Sequence, residues 1–416
     1  MDFLLLLIAK ITCICIGIIY LIKSIKKILI HGGNVVNYTY LVFFIFYILP
    51  LLLDLIVGPP TLKWAPLYDR SFNDVTTNII YCCFIIFIIY CFTKTKEVFF
   101  KDTYAKQAKI NFLKELVVIL VCLLPFYLVF FYDFPFMYLI YKDHVDLMLG
   151  KSIIPSLIYL TSTISVLLIF INAVSLNYNI KYFIFSLPII FIDIWLNGKR
   201  NIVALVVVFF ILLLFKNKSV KKMFKIFIVL FLGISLYFLN SFYQSSIRTD
   251  KPEDAYSSLR VDFGRDAAVK AGIYKLINKE TERPTLEYPG QSFIFYVTIF
   301  IPRDQWKDKP LPYAQYFTSS VLDTEAKMWG WGLTTSFFEE VIANFGFLGF
   351  FIGPFIFFKF VNASSKVNNR IFDLLNLLIC SILLTVEITA YYILFLFWFL
   401  FYFYLYKLKN KKIIFK

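Results

Sequence analysis

Residues 75–93 read VTTNIIYCCFIIFIIYCFT, nineteen positions without one charged side chain, and Lys94 and Lys96 follow at once. A helix of about 20 mostly apolar residues crosses the hydrocarbon of a bilayer with its backbone N–H and C=O groups bonded within the segment. This run therefore predicts a transmembrane helix, and the lysines after it mark one of its ends. Similar runs lie on both sides of it, at 3–22, 38–57, 112–131, 152–172, 181–196, 201–215, 223–240, 337–359, 371–386 and 388–406. The pairs 181–215 and 371–406 each read as two short helices or one long tilted one. The expected fold is an all-α polytopic membrane protein of about 11 transmembrane helices. It forms a single transmembrane domain over 1–416, within which 241–336 is one large hydrophilic loop.

Composition agrees. Of 416 residues, 60% are hydrophobic and 17% charged, with a mean hydropathy of +0.75. A soluble chain of this length needs far more polar surface. The 50 Phe and 28 Tyr suit helices packed in lipid with aromatic side chains at both interfaces. All seven cysteines fall in apolar runs, so neither a disulfide framework nor a metal-ligand spacing is implied. The start of the chain has no basic region or small-residue cleavage site, and the first run reads as a retained helix, not a signal peptide.

Orientation follows from the lysines. More than half of the 42 basic residues fall in one alternating set of connections, including Lys23, Lys26, Lys27, Lys94, Lys96, Lys101, Lys216, Lys218, Lys359, Lys366 and the tail from Lys407. These are expected on the cytoplasmic side, with the N-terminus and residues 241–336 outside and the C-terminus inside. The loop 241–336 carries twelve basic and twelve acidic residues. The net charge of +15 thus reports topology and gives no reason to expect a nucleic-acid partner. Arginine is distributed differently. Of eight arginines, all but Arg370 fall on the outer side. Lysine suffices for topology, whereas arginine adds a planar fork that holds phosphate or carboxylate through two bonds. Salt bridging to the loop's own acids explains any single arginine; the set points to an anionic ligand.

Four places carry possible chemistry. The turn Asn197-Gly198-Lys199-Arg200-Asn201 sets two cations on the outer side, against the general trend. In 255–279, apolar Leu259, Phe263, Ala267, Ile273 and Ile277 recur near helical spacing opposite Arg260, Asp262, Arg265 and Lys270, which predicts an amphipathic helix on the outer surface or over a cavity. Packing alone also explains that pattern. The run 293–301 is too short to span and predicts an interfacial or re-entrant helix, broken at Pro302 and followed by Arg303, Trp306, Lys307 and Lys309. Finally, Glu340 and Asn344 stand one helical turn apart at the outer mouth of span 337–359. Glu340 is expected to pair with an arginine or to act as a general base. Asp54, Asp193 and Glu387, near outer span ends, are possible arginine partners. No phosphate-binding loop, dinucleotide fingerprint or metal cluster is present in the sequence, and His144 is the one histidine expected outside.

The outer Gly198-Lys199-Arg200 turn, the late large loop, the run Ile301-Pro302-Arg303 … Trp306 … Lys309-Pro310, and Glu340 … Asn344-Phe345-Gly346 … Gly349 resemble, in order and in side of the membrane, the oligosaccharide repeat-unit polymerases of O-antigen and capsule pathways (the Wzy group). The hydropathy plan is similar along most of the chain. The resemblance implies a glycosyltransferase in the bacterial cytoplasmic (inner) membrane, with a fold like the membrane-embedded C-type glycosyltransferases. Its substrates would be repeat units of O-antigen (lipopolysaccharide) or capsular polysaccharide on undecaprenyl pyrophosphate. The growing glycan would move onto an incoming lipid-linked unit at the outer face, releasing undecaprenyl pyrophosphate. No cofactor or metal is implied. The implied partners are the lipid-linked glycans, the bilayer, a chain-length regulator and a flippase. The residues expected to carry catalysis are Arg200, Arg303 and Glu340; those expected to bind substrate are Lys199, Arg248, Arg260, Arg265, Trp306, Lys309 and Asn344. The alternatives are an O-antigen ligase or other lipid-linked-sugar glycosyltransferase, and a polysaccharide flippase or transporter.

Overall fold

The computed structural model describes residues 2–62, 64–97, 112–131, 154–176, 179–197, 200–217, 220–221, 223–225, 227–228, 231, 256–257, 260, 264–279, 284–299, 301, 305–325, 332–367 and 369–414. Every regular element among them is helical. The chain divides into two units, one formed by Met1–Phe100 with Thr249–Lys416, the other by Lys101–Arg248.

Helices are numbered along the chain. The first unit opens with α1 (Asp2–His31), α2 (Val35–Phe43), α3 (Leu49–Val57), α4 (Pro66–Asn73) and α5 (Val75–Lys94). The second unit holds α6 (Phe112–Cys122), α7 (Leu124–Phe131), α8 (Ile154–Ser175), α9 (Ile180–Phe185), α10 (Leu187–Asn197) and α11 (Arg200–Lys216). The first unit then resumes with α12 (Asp266–Ile277), α13 (Gln291–Val297), α14 (Tyr313–Leu322), α15 (Phe337–Phe345), α16 (Gly349–Val361), α17 (Ala363–Val367), α18 (Arg370–Thr385) and α19 (Tyr392–Ile414).

Four helical stretches are long and apolar enough to cross a membrane: Leu4–His31, Val35–Val57, Val75–Lys94 and Phe337–Val367. These apolar helices mark a membrane protein. Leu160–Ser175, Leu187–Asn197 and Leu394–Lys407 are apolar but shorter. Both ambiguous segments resolve into separate helices: 181–215 into α9, α10 and α11, and 371–406 into α18 and α19 with a 3-10 turn at Ile388–Tyr391 between them. Most of the expected span 223–240 lies outside the described residues.

Two sequence features shape the long spans. Pro50 has no N–H to offer the carbonyl four residues before it. The helix accordingly widens into a π turn over Phe44–Ile48 between α2 and α3. In the other, α15 stops at Gly346 (φ 60), a 3-10 turn Gly346–Leu348 follows, and α16 starts at Gly349. A Cβ on Gly349 would sit 2.6 Å from the Val341 carbonyl oxygen, so this tight return needs a residue without one.

Aromatic rings fill the contacts between these spans. Phe92 on α5 meets Tyr40 at 5.1 Å, Phe43 at 5.5 Å and Phe358 at 4.8 Å between ring centroids. Buried tyrosines direct their hydroxyls to main-chain carbonyls: Tyr40 to Gly17, Tyr81 to Tyr47, and Tyr47 to Leu384, each at 2.8 Å. A buried hydroxyl without such a partner would be costly. Part of the aromatic excess is therefore core packing. Outside the spans, α4 and its approach (Leu62, Ala65, Leu67, Tyr68, Phe72) share a core with Ala267, Ala268 and Ala271 of α12 and Tyr313, Tyr316, Phe317 and Val321 of α14. The large hydrophilic segment and the short connection before α5 thus form one helical layer.

Candidate functional site

The layer is fastened to the spans at the π turn. The Phe46 carbonyl, which Pro50 cannot satisfy, accepts from the backbone N–H of Arg265 at 3.0 Å. The Arg265 guanidinium lies over the Phe46 ring at 5.6 Å, and its Nε donates to the Thr385 carbonyl at 2.7 Å. Arg265 therefore joins the α2–α3 span to the end of α18.

One turn away is a buried ion cluster. Arg260 donates from Nε and Nη2 to both oxygens of Asp54, at 2.9 and 3.0 Å. It also donates from Nη1 and Nη2 to both oxygens of Asp266, each at 2.7 Å. Lys270 Nζ stands 3.0 Å from Asp266 Oδ2 and 3.7 Å from Asp54 Oδ2. The Tyr256 hydroxyl donates to Asp54 Oδ1 at 2.6 Å. Two cations face two carboxylates, so the cluster is neutral, and the four charged side chains are at most 1% exposed. Phe72 lies beneath both cations, 5.4 Å from Arg260 and 4.9 Å from Lys270. Burial acts against the charge of Asp266, but Arg260 and Lys270 outweigh it and hold that carboxyl down at about 2. Burial likewise opposes the charge of Arg260, and the two aspartates hold its guanidinium well above its ordinary value.

A second polar group surrounds Glu340 on α15. Its Oε1 accepts from Ser292 Oγ at 2.6 Å, and both carboxylate oxygens lie 2.7 Å from the Tyr296 hydroxyl. Asn344 Nδ2 donates to Ser292 Oγ at 2.8 Å and to the Glu340 carbonyl at 2.7 Å. Burial and the neighbouring Glu340 push the Tyr296 hydroxyl well above its usual range. Ser336 caps α15 by accepting from the Glu339 N–H. Glu339 is fully buried against Gly272 of α12, and neither of its carboxylate oxygens has a hydrogen-bond partner among the described residues. Asn344 Oδ1, Thr335 Oγ1 and the Tyr313 hydroxyl are also buried with unmet hydrogen-bonding capacity. The segment leading into α15 packs on α14, where the Leu333 N–H donates to Thr318 Oγ1 at 2.6 Å.

The sequence-selected residues divide clearly. Glu340 and Asn344 come together as their spacing predicts, but among the described residues Glu340 is held by hydroxyls and not by an arginine. Of the carboxylates singled out as arginine partners, Asp54 takes that role with Arg260; Asp193 instead accepts from Ser165. Arg260 matches the salt-bridging alternative. The helix carrying Lys270 is buried on nearly every face, and Asp266 and Lys270 are neutralised within the cluster and not turned to solvent. Lys309 is 7% exposed and donates to the carbonyls of Ile299 and Ile301 at 3.1 and 2.8 Å, closing the segment after α13. Trp306 is half-buried, and its carbonyl accepts the Lys309 N–H at 3.2 Å. Lys199, Arg248 and Arg303 lie outside the described residues. Ser292 and Tyr296 went unnoticed in the sequence; their one signal is a polar i, i+4 pair on a short apolar helix.

In the second unit, Arg200 opens α11. Before it, the fully buried Asn197 donates from Nδ2 to Ser162 Oγ at 2.8 Å and Thr163 Oγ1 at 3.2 Å, anchoring the end of α10 to α8. Asn197 is therefore fixed, while Gly198 and Lys199 of the expected turn lie outside the described residues.

Comparison with known protein families, characterised proteins and solved structures found no match to this chain.

Proposed function

We propose that this chain is a membrane glycosyltransferase that polymerises oligosaccharide repeat units carried on undecaprenyl pyrophosphate, for O-antigen or capsular polysaccharide, at the outer face of the bacterial cytoplasmic membrane. In this reading the chain spans the bilayer about 11 times, with the N-terminus outside, the C-terminus inside and 241–336 outside. The observation that carries it is the group of buried carboxyl, amide and hydroxyl functions with unmet hydrogen-bonding capacity where the hydrophilic layer meets span Phe337–Val367. Buried polar atoms in folded proteins find partners in protein, water or ligand, so these atoms supply hydrogen-bonding capacity that a ligand can use. A glycan, dense in hydroxyls that both donate and accept, supplies such partners.

The reaction breaks the bond between the growing glycan and pyrophosphate and forms one to a hydroxyl of the incoming sugar. Negative charge grows on the leaving group, and Arg200 and Arg303 with Lys199 and Arg248 are assigned to stabilise it. Glu340 is assigned to take the acceptor proton. Arg260 and Lys309 are given positioning roles, since their charges are already met by the protein.

Gel analysis of cell-surface glycan tests this reading. Loss of the gene leaves lipid-linked single repeat units and no long chains, and Arg200→Ala and Arg303→Ala each reproduce that pattern while the protein still accumulates in the membrane. Replacement by Lys rescues poorly, because one point charge does not reproduce the bidentate fork. A normal ladder in the deletion strain contradicts the proposal. Long polymer stranded on carrier lipid identifies a ligase instead.

A further inference from the structure

We propose that the recess at the N-terminus of α2 binds a phosphate group, either as a free anion or as part of a lipid headgroup. The site lies at the lysine-rich end of the spans and is independent of the glycan reading.

The turn between α1 and α2 is His31-Gly32-Gly33-Asn34, with φ of 73 and 66 at the two glycines. A Cβ on Gly33 would fall 2.7 Å from Ile28 Cγ1 and 2.9 Å from Tyr38 Cε2, so the chain reverses this sharply only with glycine. The reversal presents the N-terminus of α2 to a shallow, solvent-open recess lined by Asn34, Val35, Val36, Lys96 and Ser364. Asn34 Oδ1 caps α2 by accepting from the Asn37 N–H at 3.0 Å. That bond fixes the amide orientation and directs Nδ2 away from the cap. Asn34 is 4% exposed, and its Nδ2 donor has no partner among the described residues.

The backbone N–H groups of Val35 and Val36, the first two of α2, likewise make no hydrogen bond among the described residues. Ser364 Oγ accepts from Asn376 Nδ2 at 2.9 Å, which leaves its own proton to donate. Lys96 is exposed at the rim and pairs with no carboxylate among the described residues. The nearby carboxylate, Glu97, is occupied by Lys27 at 2.6 Å and by Asn37 Nδ2 at 3.4 Å. Free N–H donors at a helix start, a buried amide donor, a hydroxyl and a cation together suit a tetrahedral oxyanion.

The test uses the purified full-length protein in nanodiscs of neutral phosphatidylcholine, with thermal unfolding and a binding titration as readouts. One arm adds inorganic phosphate against chloride at equal ionic strength; the other replaces part of the lipid with phosphatidylglycerol. A raised midpoint in the first arm identifies a free anion, and one confined to the second identifies a headgroup. Asn34→Asp keeps the oxygen that caps α2 but exchanges the amide donor for a carboxylate. It leaves the unliganded midpoint intact and weakens the response at least about tenfold. Lys96→Gln, at an exposed position, lowers affinity without touching the cap. No shift in either arm, or shifts in both variants equal to the parent protein, overturns the proposal.

Discussion

Arg260 makes four charge-assisted bonds to two carboxylates that lie far from and near to it in sequence, Asp54 and Asp266. Its role is to hold the hydrophilic layer on the spans, because a guanidinium so engaged has no fork left for phosphate. Removing it leaves two buried aspartates facing a single cation of the cluster, Lys270. Arg260→Met is therefore expected to cost about 3–5 kcal/mol, read as a fall in the unfolding midpoint of the detergent-solubilised protein. The same cluster sets an acid limit. The Asp266 carboxyl sits at about 2 in the fold against an ordinary 3.8, so the stability it lends is complete above pH 4. That stability drains away as pH falls toward 2. Asp266→Asn removes this part of the acid slope; a slope as steep as in the parent protein would show that other groups set it. The Glu340–Asn344 relation was legible from spacing alone, since i, i+4 neighbours share a helix face. The Asp54–Arg260 pair was legible only as a possibility, because the sequence gives no distance across 206 residues.

At the scale of elements, apolar runs located α1, α5 and the Val35–Val57 and Phe337–Val367 stretches to within a few residues, apart from the extensions of α1 to His31 and of the last stretch to Val367. Their interruptions were less visible. Pro50 is in plain view, but the π turn and the carbonyl it releases to Arg265 become meaningful only when the other segment is in place. The amphipathic reading of 255–279 needed its polar face in water or at a surface; neutralisation by Asp54 let that face enter the core instead. The break at Gly346–Gly349 carries its own prediction. Gly349→Val places a Cβ against the Val341 carbonyl at 2.6 Å and is expected to cost about 1–3 kcal/mol in thermal unfolding. Since Glu340 and Asn344 lie on the helix that this turn closes, the glycan ladder should shorten as well. A variant as stable as the parent would show that the return is not constrained there.

For the whole molecule, lysine asymmetry predicts sidedness, and the shared core of Leu67, Phe72, Ala268 and Phe317 joins the two connections that this prediction places on one face. Exposed Tyr288 and Lys96 test that sidedness. Tyr288→Cys should react with a membrane-impermeant maleimide on intact cells, and Lys96→Cys only after permeabilisation; the reverse pattern inverts the topology. The central claim concerns chemistry, and reconstitution reaches it most directly. Purified protein in liposomes, given repeat units on undecaprenyl pyrophosphate with a metal chelator present, is expected to build a ladder of glycan lengths and to release one undecaprenyl pyrophosphate per linkage formed. Repeat units that stay single, or that cross the bilayer unchanged, would contradict it.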